Sequence, residues 1–409
     1  MNNANTPPSG TPSAPQRLHA LDNLRALMMW LGIVLHVALN HLTVASPLPW
    51  RDPQTSRVAD LLLLFIHGFR MPVFFVLAGF FVALLIERRG AGGMLRNRAL
   101  RLALPFALFW PPLFALTTLL AMVYIHLTVR GVPGLDAALA PPRPPGGSPF
   151  NTLHLWFIYQ LFWFCVLAWA GAKLGRFVPA RLRAGFGHGF ALLARRPWGV
   201  LVLALPLAVA GSFHPTGLAP QSGSFLPPWG EWVHSGLFFV FGLCLHGRQE
   251  LLARFAARCQ VLALAGLGFF GATLVLLGAA RGTAPLPHAA FWIAFAYGTA
   301  GWLWSLALIG AFVRWLPRRN AVLDYLSRSS YWVYLVHMLG TVGFGVLLFH
   351  APLGALAKMG LNIAATSLVA LASYELLARR TPIGRLLNGQ PEAKRSSRKS
   401  TKARVFAAR

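Results

Sequence analysis

Apolar segments of similar length recur along the chain and are separated by short polar connections. Ten of them approach the roughly 20 residues that an α-helix needs to cross the hydrocarbon core of a bilayer. We place them at 24–44, 60–86, 102–128, 152–172, 198–213, 232–247, 260–280, 289–313, 329–350 and 357–378. The pattern predicts an all-α, polytopic membrane protein with about ten transmembrane helices.

The two ends of the chain differ from this apolar region. Residues 1–16 are rich in Pro, Ser and Asn, and residues 386–409 are rich in Lys, Arg and Ser. Such segments cannot bury enough apolar surface to fold by themselves. We predict a disordered leader at 1–16, one transmembrane domain at 17–385, and a disordered basic cytoplasmic tail at 386–409 that suits contact with anionic lipid.

The composition agrees with a membrane protein. Of the 409 residues, 56% are hydrophobic and 11% are charged, which excludes ordinary soluble and disordered classes. The net charge is +27, and 30 of the 37 Lys and Arg residues fall on one side of the ten-span arrangement. Because Lys and Arg collect in cytoplasmic loops, we predict a multi-pass protein of the inner (plasma) membrane with both termini cytoplasmic. The excess of positive charge then reflects the orientation of the protein in the membrane, and no nucleic-acid partner is expected.

The first span carries Arg25 and His36, and ionisable side chains are costly within a bilayer. Eleven residues make three helical turns plus about 20°, so the two side chains share one face, about 16 Å apart along the axis. This predicts a polar stripe from the cytoplasmic surface to His36 near the membrane middle. The alternative is that Arg25 extends to lipid phosphates and His36 is hydrogen-bonded within the bundle.

The second span carries His67 and Arg70, three residues apart and followed by Pro72. An arginine at this depth should face a hydrated cavity or an acceptor, and Pro72 frees backbone carbonyls that such a group can engage. We interpret Arg70 as functional and His67 as a possible substrate-site residue. A structural arginine that bonds carbonyls is the alternative.

The ninth and tenth spans add further polar residues. Ser330, Tyr334 and His337 lie at i, i+4 and i+7, which places a second histidine in the membrane interior. Glu375 lies near the end of the tenth span. We interpret all four as possible substrate-site residues; a Tyr–His packing pair is the alternative for Tyr334 and His337, and a helix cap or anchor is the alternative for Glu375. His154, which opens the fourth span, is a weaker candidate, with a helix anchor as the alternative.

A basic cluster precedes the third span. Arg98 and Arg101 follow closely after Arg88 and Arg89, on the predicted cytoplasmic side. Arginine forks suit phosphate groups, so this cluster is a candidate acyl-CoA anchor, although the positive-inside rule alone also explains it. The chain has few carboxylates and no histidine pair at ligand spacing, so no metal site is expected.

Five segments together resemble the acyltransferase-3 family of integral-membrane O-acyltransferases. They are LDNLRALMMWLGIVLH, FIHGFRMPVFFVLAGFF, the RxxR at Arg98 and Arg101 followed by Pro105, HLWFIYQ, and SSYWVYLVH. The resemblance covers about residues 17 to 380, and within the family it points to the group that acts on periplasmic glucans. Ala78 departs from the family, since many members have Ser before the following glycine.

The resemblance implies transfer of an acyl group from cytoplasmic acyl-CoA to a hydroxyl of a glycan or lipid-linked sugar. Succinyl or acetyl is the expected group, with acyl-CoA as donor substrate and no other cofactor. The family pattern marks Arg25 and His36 as essential, with His36 as the candidate base. Arg70, Arg98 and Arg101 match further motif positions of the family, which implies that they too belong to the site. Such chemistry needs a base, a positive group for the oxyanion and a phosphate anchor. Direct transfer and an acyl-histidine relay both remain open.

Two other classes compete with an enzyme. A transporter or flippase for a sugar or lipid-linked substrate would also place Arg and His within spans, but it usually carries midplane carboxylates and repeated halves. The acidic residues of the chain lie at or beyond the predicted span ends. A non-catalytic partner of a glycan synthase would not need interior Arg and His. The expected partners are acyl-CoA, a carbohydrate acceptor and the bilayer; the oligomeric state does not follow from the sequence.

Overall fold

The computed structural model describes residues 14–46, 48–139, 150–218, 221–282, 286–318 and 320–388. All regular secondary structure in these ranges is helical, which confirms the all-α prediction. The α-helices are α1 (Ala14–Ala38), α2 (Arg57–Arg98), α3 (Leu104–Arg130), α4 (Trp156–Leu174), α5 (Ala180–Arg195), α6 (Gly199–Ser212), α7 (Trp229–His246), α8 (Glu250–Ala279), α9 (Ala289–Trp315), α10 (Ala321–Leu348), α11 (Ala355–Ser373) and α12 (Pro382–Asn388).

The predicted number of ten spans is not confirmed. Within the described ranges, seven helical stretches are long and apolar enough to cross a membrane, and an eighth is added if α5 and α6, bent by 103°, form one span. One of the seven is the 74-residue stretch Arg57–Arg130, which covers two predicted spans. The predicted sixth span corresponds to α7, which is not among the seven because Glu231 and His234 make it less apolar.

α2 and α3 follow one another without a loop. Gly90 breaks α2 with φ 69° and ψ 166°, in a region of backbone space that glycine enters freely and other residues avoid. The π-helical turn Ala99–Ala103 then leads into α3. The sequence predicted a connection at 87–101 between two spans, and the structure shows that this connection is helical on both sides of Gly90.

α2 lies at the centre of the bundle, in contact with α1, α4, α7 and α9. Its approach to α7 depends on Gly79 and Gly242. A Cβ added to Gly79 would lie 2.0 Å from the Phe239 carbonyl oxygen, and one on Gly242 would lie 2.0 Å from that of Val76. The two backbones therefore pack directly together, as glycines at membrane helix interfaces allow.

A buried ion pair fixes the connection between α1 and α2. Lys358 Nζ lies 3.1 Å from Asp52 Oδ1, each side chain is 1% exposed, and Lys358 also donates to the Phe349 carbonyl at 2.7 Å. The Asp52 backbone N–H donates to the Asn40 carbonyl at 2.9 Å. Asp52 lies between the first two predicted spans, and Lys358 lies at the start of the predicted tenth span. Both are core residues, because each neutralises the other.

The predicted ends are only partly described. Residues 14–16 belong to α1 and residues 386–388 to α12, so these short pieces of the predicted leader and tail are helical. The other residues of both ends lie outside the described ranges. A further helix that the sequence did not suggest, α5, occupies the connection between the fourth and fifth predicted spans.

Candidate active site

Three histidines that are far apart in the sequence meet inside the bundle. His36 comes from α1, His337 from α10, and His154 from the 3-10 helix Leu153–Leu155 that precedes α4. The ring centroids of His36 and His337 are 5.1 Å apart, and those of His154 and His337 are also 5.1 Å apart. His337 thus links the other two rings.

Hydrogen bonds assign the proton positions in two of these rings. His337 Nδ1 donates to the Tyr334 carbonyl at 2.8 Å, and His154 Nε2 donates to the Leu335 carbonyl at 3.0 Å. Since a carbonyl only accepts, the other nitrogen of each neutral ring carries a lone pair. Those atoms, His337 Nε2 and His154 Nδ1, are buried and have no hydrogen-bond partner among the described residues, and the same holds for His36 Nδ1.

The loop that carries His154 is held firmly. Thr152 donates to the Gly223 carbonyl from both its backbone N–H and its hydroxyl, each at 2.7 Å. Leu153 has φ 49°, a left-handed conformation that a bulky residue rarely adopts. Tyr334 Oη donates to the His154 carbonyl at 2.7 Å. The sequence indicated His154 only as a weaker candidate, with its place in the HLWFIYQ segment as the signal; the structure places it at the cavity described below.

Arg70 lies beside the histidines and is 6% exposed. Its only hydrogen bond to a described residue runs from Nε to the Met28 carbonyl, at 2.8 Å, and its guanidinium lies 5.7 Å from the centre of the Phe74 ring. Space for the guanidinium depends on Gly32, where a Cβ would lie 2.5 Å from Arg70 Nη2. One N–H therefore fixes the side chain to a carbonyl, and the guanidinium borders the cavity described next.

A cavity of about 20 Å³ lies between these groups, large enough for about one water molecule. Aromatic and apolar side chains enclose it on the remaining sides. Among the described residues, no group of three His, Cys, Asp or Glu side chains is placed to bind a metal ion. The residues that line the cavity are His36, Arg70, Met71, Phe74, His154, Trp156, Phe157 and Tyr334.

Arg25 does not join the histidine cluster. It forms an ion pair with Asp22 at 3.1 Å, its side chain is 43% exposed, and its guanidinium lies over the Phe81 ring at 5.7 Å. The helical stretch that includes α1 runs from His19 to His41, so His36 lies five residues from its C-terminal end and not at its middle. Arg25 and His36 therefore belong to two separate sites, although they lie on the same helix.

Arg25 instead approaches the basic cluster. Arg98 is close enough to both Arg25 and Arg101 for their charges to interact. Among the described residues, Arg98 Nε is buried without a hydrogen-bond partner, and Tyr331 Oη donates to the Arg101 carbonyl at 2.7 Å. The guanidinium groups of Arg25 and Arg101 therefore lie near that of Arg98.

The other predicted site residues are located elsewhere. Arg88 and Arg89 are exposed beside the break in α2, and neither forms a hydrogen bond or ion pair within the described ranges. Ser330 is buried, and its hydroxyl donates to a carbonyl of its own helix. Glu375 pairs with the arginine four residues later, at 2.7 Å. His67 interacts electrostatically with His36 and with Arg70 but does not line the cavity.

The helical bundle and its interior His–Arg site define an integral membrane protein with buried ionisable chemistry. The chain matches the family described as "Acyltransferase domain" over residues 18–374, and it belongs to this family, acyltransferase-3. It is therefore a membrane acyltransferase that transfers groups other than aminoacyl groups.

Curated relatives agree with this assignment. The chain is 26% identical over 417 residues to "Glucans biosynthesis protein C" of Shigella dysenteriae serotype 1, with 95% of this chain and 99% of the relative covered. The protein of the same name from Escherichia coli K12 gives the same identity and coverage. No solved structure matches the chain.

Proposed function

We propose that the protein is an inner-membrane O-acyltransferase that transfers a succinyl or acetyl group from cytoplasmic acyl-CoA to a hydroxyl of a glycan such as a periplasmic glucan, with both termini cytoplasmic. One observation carries the proposal: His36 and Arg70 line the same small cavity, with His154 and Tyr334 beside them. The name of the curated relatives supports a glucan as acceptor.

His36 is the proposed base. It lines the cavity, no described residue hydrogen-bonds its ring, and it can therefore accept the proton of an attacking hydroxyl. His337, 5.1 Å away between ring centroids, offers the lone pair of Nε2 to hydrogen-bond the imidazolium that forms. His154 contributes a second lone pair at Nδ1. In the pair of His36 and His337, one imidazole therefore acts as the base and the other orients it.

Arg70 is the proposed oxyanion group. The bond from Nε to the Met28 carbonyl fixes the plane of the guanidinium, and its Nη groups remain for the developing negative charge. A donor that is already oriented costs no reorganisation during the reaction. The same arrangement serves direct transfer and an acyl-histidine relay through His36, so both mechanisms stay open.

The cluster of Arg25, Arg98 and Arg101 is the proposed anchor for the phosphates of acyl-CoA. Arg25 and His36 are separated by eleven residues of helix, about 16 Å along the axis, which the pantetheine arm has to span. Because the cavity holds about one water molecule, the acyl group reaches His36 only if side chains move. Phe74 and Phe157, with ring centroids 5.0 Å apart at the cavity, are the candidates.

The test is mass spectrometry of periplasmic and surface glycans from cells that lack the gene, complemented with wild type, His36→Ala or His126→Ala. His126 is a matched control, since within the described ranges its ring bonds only the nearby Val132 carbonyl, and it does not line the cavity. We expect wild type and His126→Ala to restore an ester whose mass identifies the acyl group, and His36→Ala to restore none while inserting normally. If glycans lose no ester without the gene and transport of a sugar or lipid changes instead, the proposal is wrong.

A further inference from the structure

A second and larger recess, of about 410 Å³, shares no lining residue with the histidine cavity. α9 contacts both α6 and α8, and residues of all three helices line the recess, so that α9 forms the floor of a groove between α6 and α8. The mouth is formed by residues 194–198 and by Arg254 and Arg258 at the start of α8.

The groove beyond its mouth is suited to hydrocarbon. It runs along α8 from Arg254 to Phe269, which is about 22 Å of helix and exceeds half the roughly 30 Å thickness of a bilayer core. Its hydroxyl-bearing residue, Thr299, donates to the Phe295 carbonyl of its own helix at 2.7 Å. The other residues on its walls and floor have apolar side chains, among them Leu303 and Val261.

The mouth is suited to an anion. Arg195 is paired with Glu250 at 3.2 Å, and Arg254 donates to the Arg195 carbonyl at 2.6 Å. Arg196 and Arg258 are exposed, and neither side chain forms a hydrogen bond or ion pair within the described ranges. Guanidinium forks match phosphate oxygens in geometry and charge.

The turn between α5 and α6 places Arg196 at this mouth. The two helices are bent by 103°, and a Cβ on Gly199 would lie 1.9 Å from the Leu193 carbonyl oxygen, so that only glycine fits the bend. α5 therefore turns sharply away from α6, and Trp198, 45% exposed, lies beside the arginines as aromatic residues do at a membrane interface.

We propose that this groove is a binding site for an anionic phospholipid, with an acyl chain along α9 between α6 and α8 and the headgroup phosphate on Arg196 and Arg258. CoA fits poorly, because the amides of its pantetheine arm need hydrogen-bond partners and the apolar walls offer none. The site is separate from the proposed acyl-transfer site and does not depend on the proposed function.

The test is native mass spectrometry of the detergent-purified full chain with added phosphatidylglycerol or phosphatidylcholine of identical acyl chains. We expect phosphatidylglycerol to be retained about tenfold more strongly. The double variant Arg196→Ala/Arg258→Ala should reduce the retention of phosphatidylglycerol to that of phosphatidylcholine. Ala265→Trp, which fills the groove and keeps the charges, should weaken both lipids.

The matched control is Arg181→Ala/Arg183→Ala, which removes the same charge from exposed positions of α5 that do not line the groove. It should leave retention of phosphatidylglycerol unchanged. The proposal would be wrong if the wild-type protein retained the two lipids equally. It would also be wrong if the control variant lost as much phosphatidylglycerol as the Arg196→Ala/Arg258→Ala variant does. Displacement of the lipid by free CoA would overturn it too, by assigning the groove to the acyl donor.

Discussion

The imidazole rings of His36 on α1 and His337 on α10 lie 5.1 Å apart between centroids, and each has a buried nitrogen that no residue in the described part of the chain hydrogen-bonds. An unpartnered polar atom in a membrane interior is costly, so two of them in neighbouring rings, one of which lines the small cavity, point to a site where a reaction uses them.

His337→Ala should lower kcat for acyl transfer about 10- to 100-fold, because the imidazolium of His36 loses a hydrogen-bond acceptor, and leave the KM for acyl-CoA unchanged. The measurement is acyl transfer in purified membranes at varied donor concentration, with His126→Ala as control. An unchanged kcat would show that His337 only packs against Tyr334 and does not assist the reaction.

Gly32→Ala should impair the enzyme through Arg70. The added methyl group would occupy the place of Arg70 Nη2, and a displacement of about 1 Å in a catalytic group costs on the order of 100-fold in rate. Arg70→Lys should be impaired as well, because a point charge replaces a planar fork. Gly271→Ala is the control, since nothing lies within 4 Å of its new Cβ. Full activity of Gly32→Ala would show that the orientation of Arg70 is unimportant.

Removal of one partner of the buried Asp52–Lys358 pair should destabilise the protein. Asp52→Asn or Lys358→Met leaves the other group buried with reduced compensation, at a cost of about 3–5 kcal/mol in the free energy of unfolding, and the double variant should cost less than the two single changes together. Denaturant unfolding in mixed micelles measures this. Arg130→Gln, from an exposed pair with Asp136, should leave the stability nearly unchanged, because solvent screens such a pair. Strict additivity of the two changes would contradict the pairing.

Arg98→Ala should raise the KM for acyl-CoA about tenfold or more, because a partly buried guanidinium would no longer reach the CoA phosphates. Arg88→Ala/Arg89→Ala should change the KM little, since both side chains are exposed and separate from Arg98. Steady-state kinetics with varied acyl-CoA measures the KM of both variants. If only the Arg88→Ala/Arg89→Ala variant raised the KM, the exposed pair would be the donor anchor. If neither variant raised it, the arginines would serve only to orient the protein in the membrane.

Part of the site was accessible from the sequence. His36, Arg70, Tyr334 and His337 stand out because polar and ionisable residues in long apolar segments cost free energy, so their presence there needs a reason. The structure brings these four together. It separates Ser330 and Glu375 from them, because membership of the same span does not determine which helix face meets a neighbour.

Other features depended on contacts that composition does not encode. The His154 ring reaches the cavity through a loop tied to the Gly223 carbonyl, 71 residues away along the chain. The Asp52–Lys358 pair joins residues 306 positions apart. Charged residues near span ends are usually exposed, so nothing local distinguished these two from surface residues.

The sequence by itself determined the helical class, the membrane character and the family, because segment length, hydropathy and short motifs are local properties of the chain. Only the tertiary structure decided how many helices are long and apolar enough to span, which histidines share a cavity, and where Arg196 and Arg258 border a groove. The physical reason is that backbone breaks such as Gly90 and helix contacts such as Gly79 with Gly242 set direction and distance, and these depend on the packing of residues that are remote in the sequence.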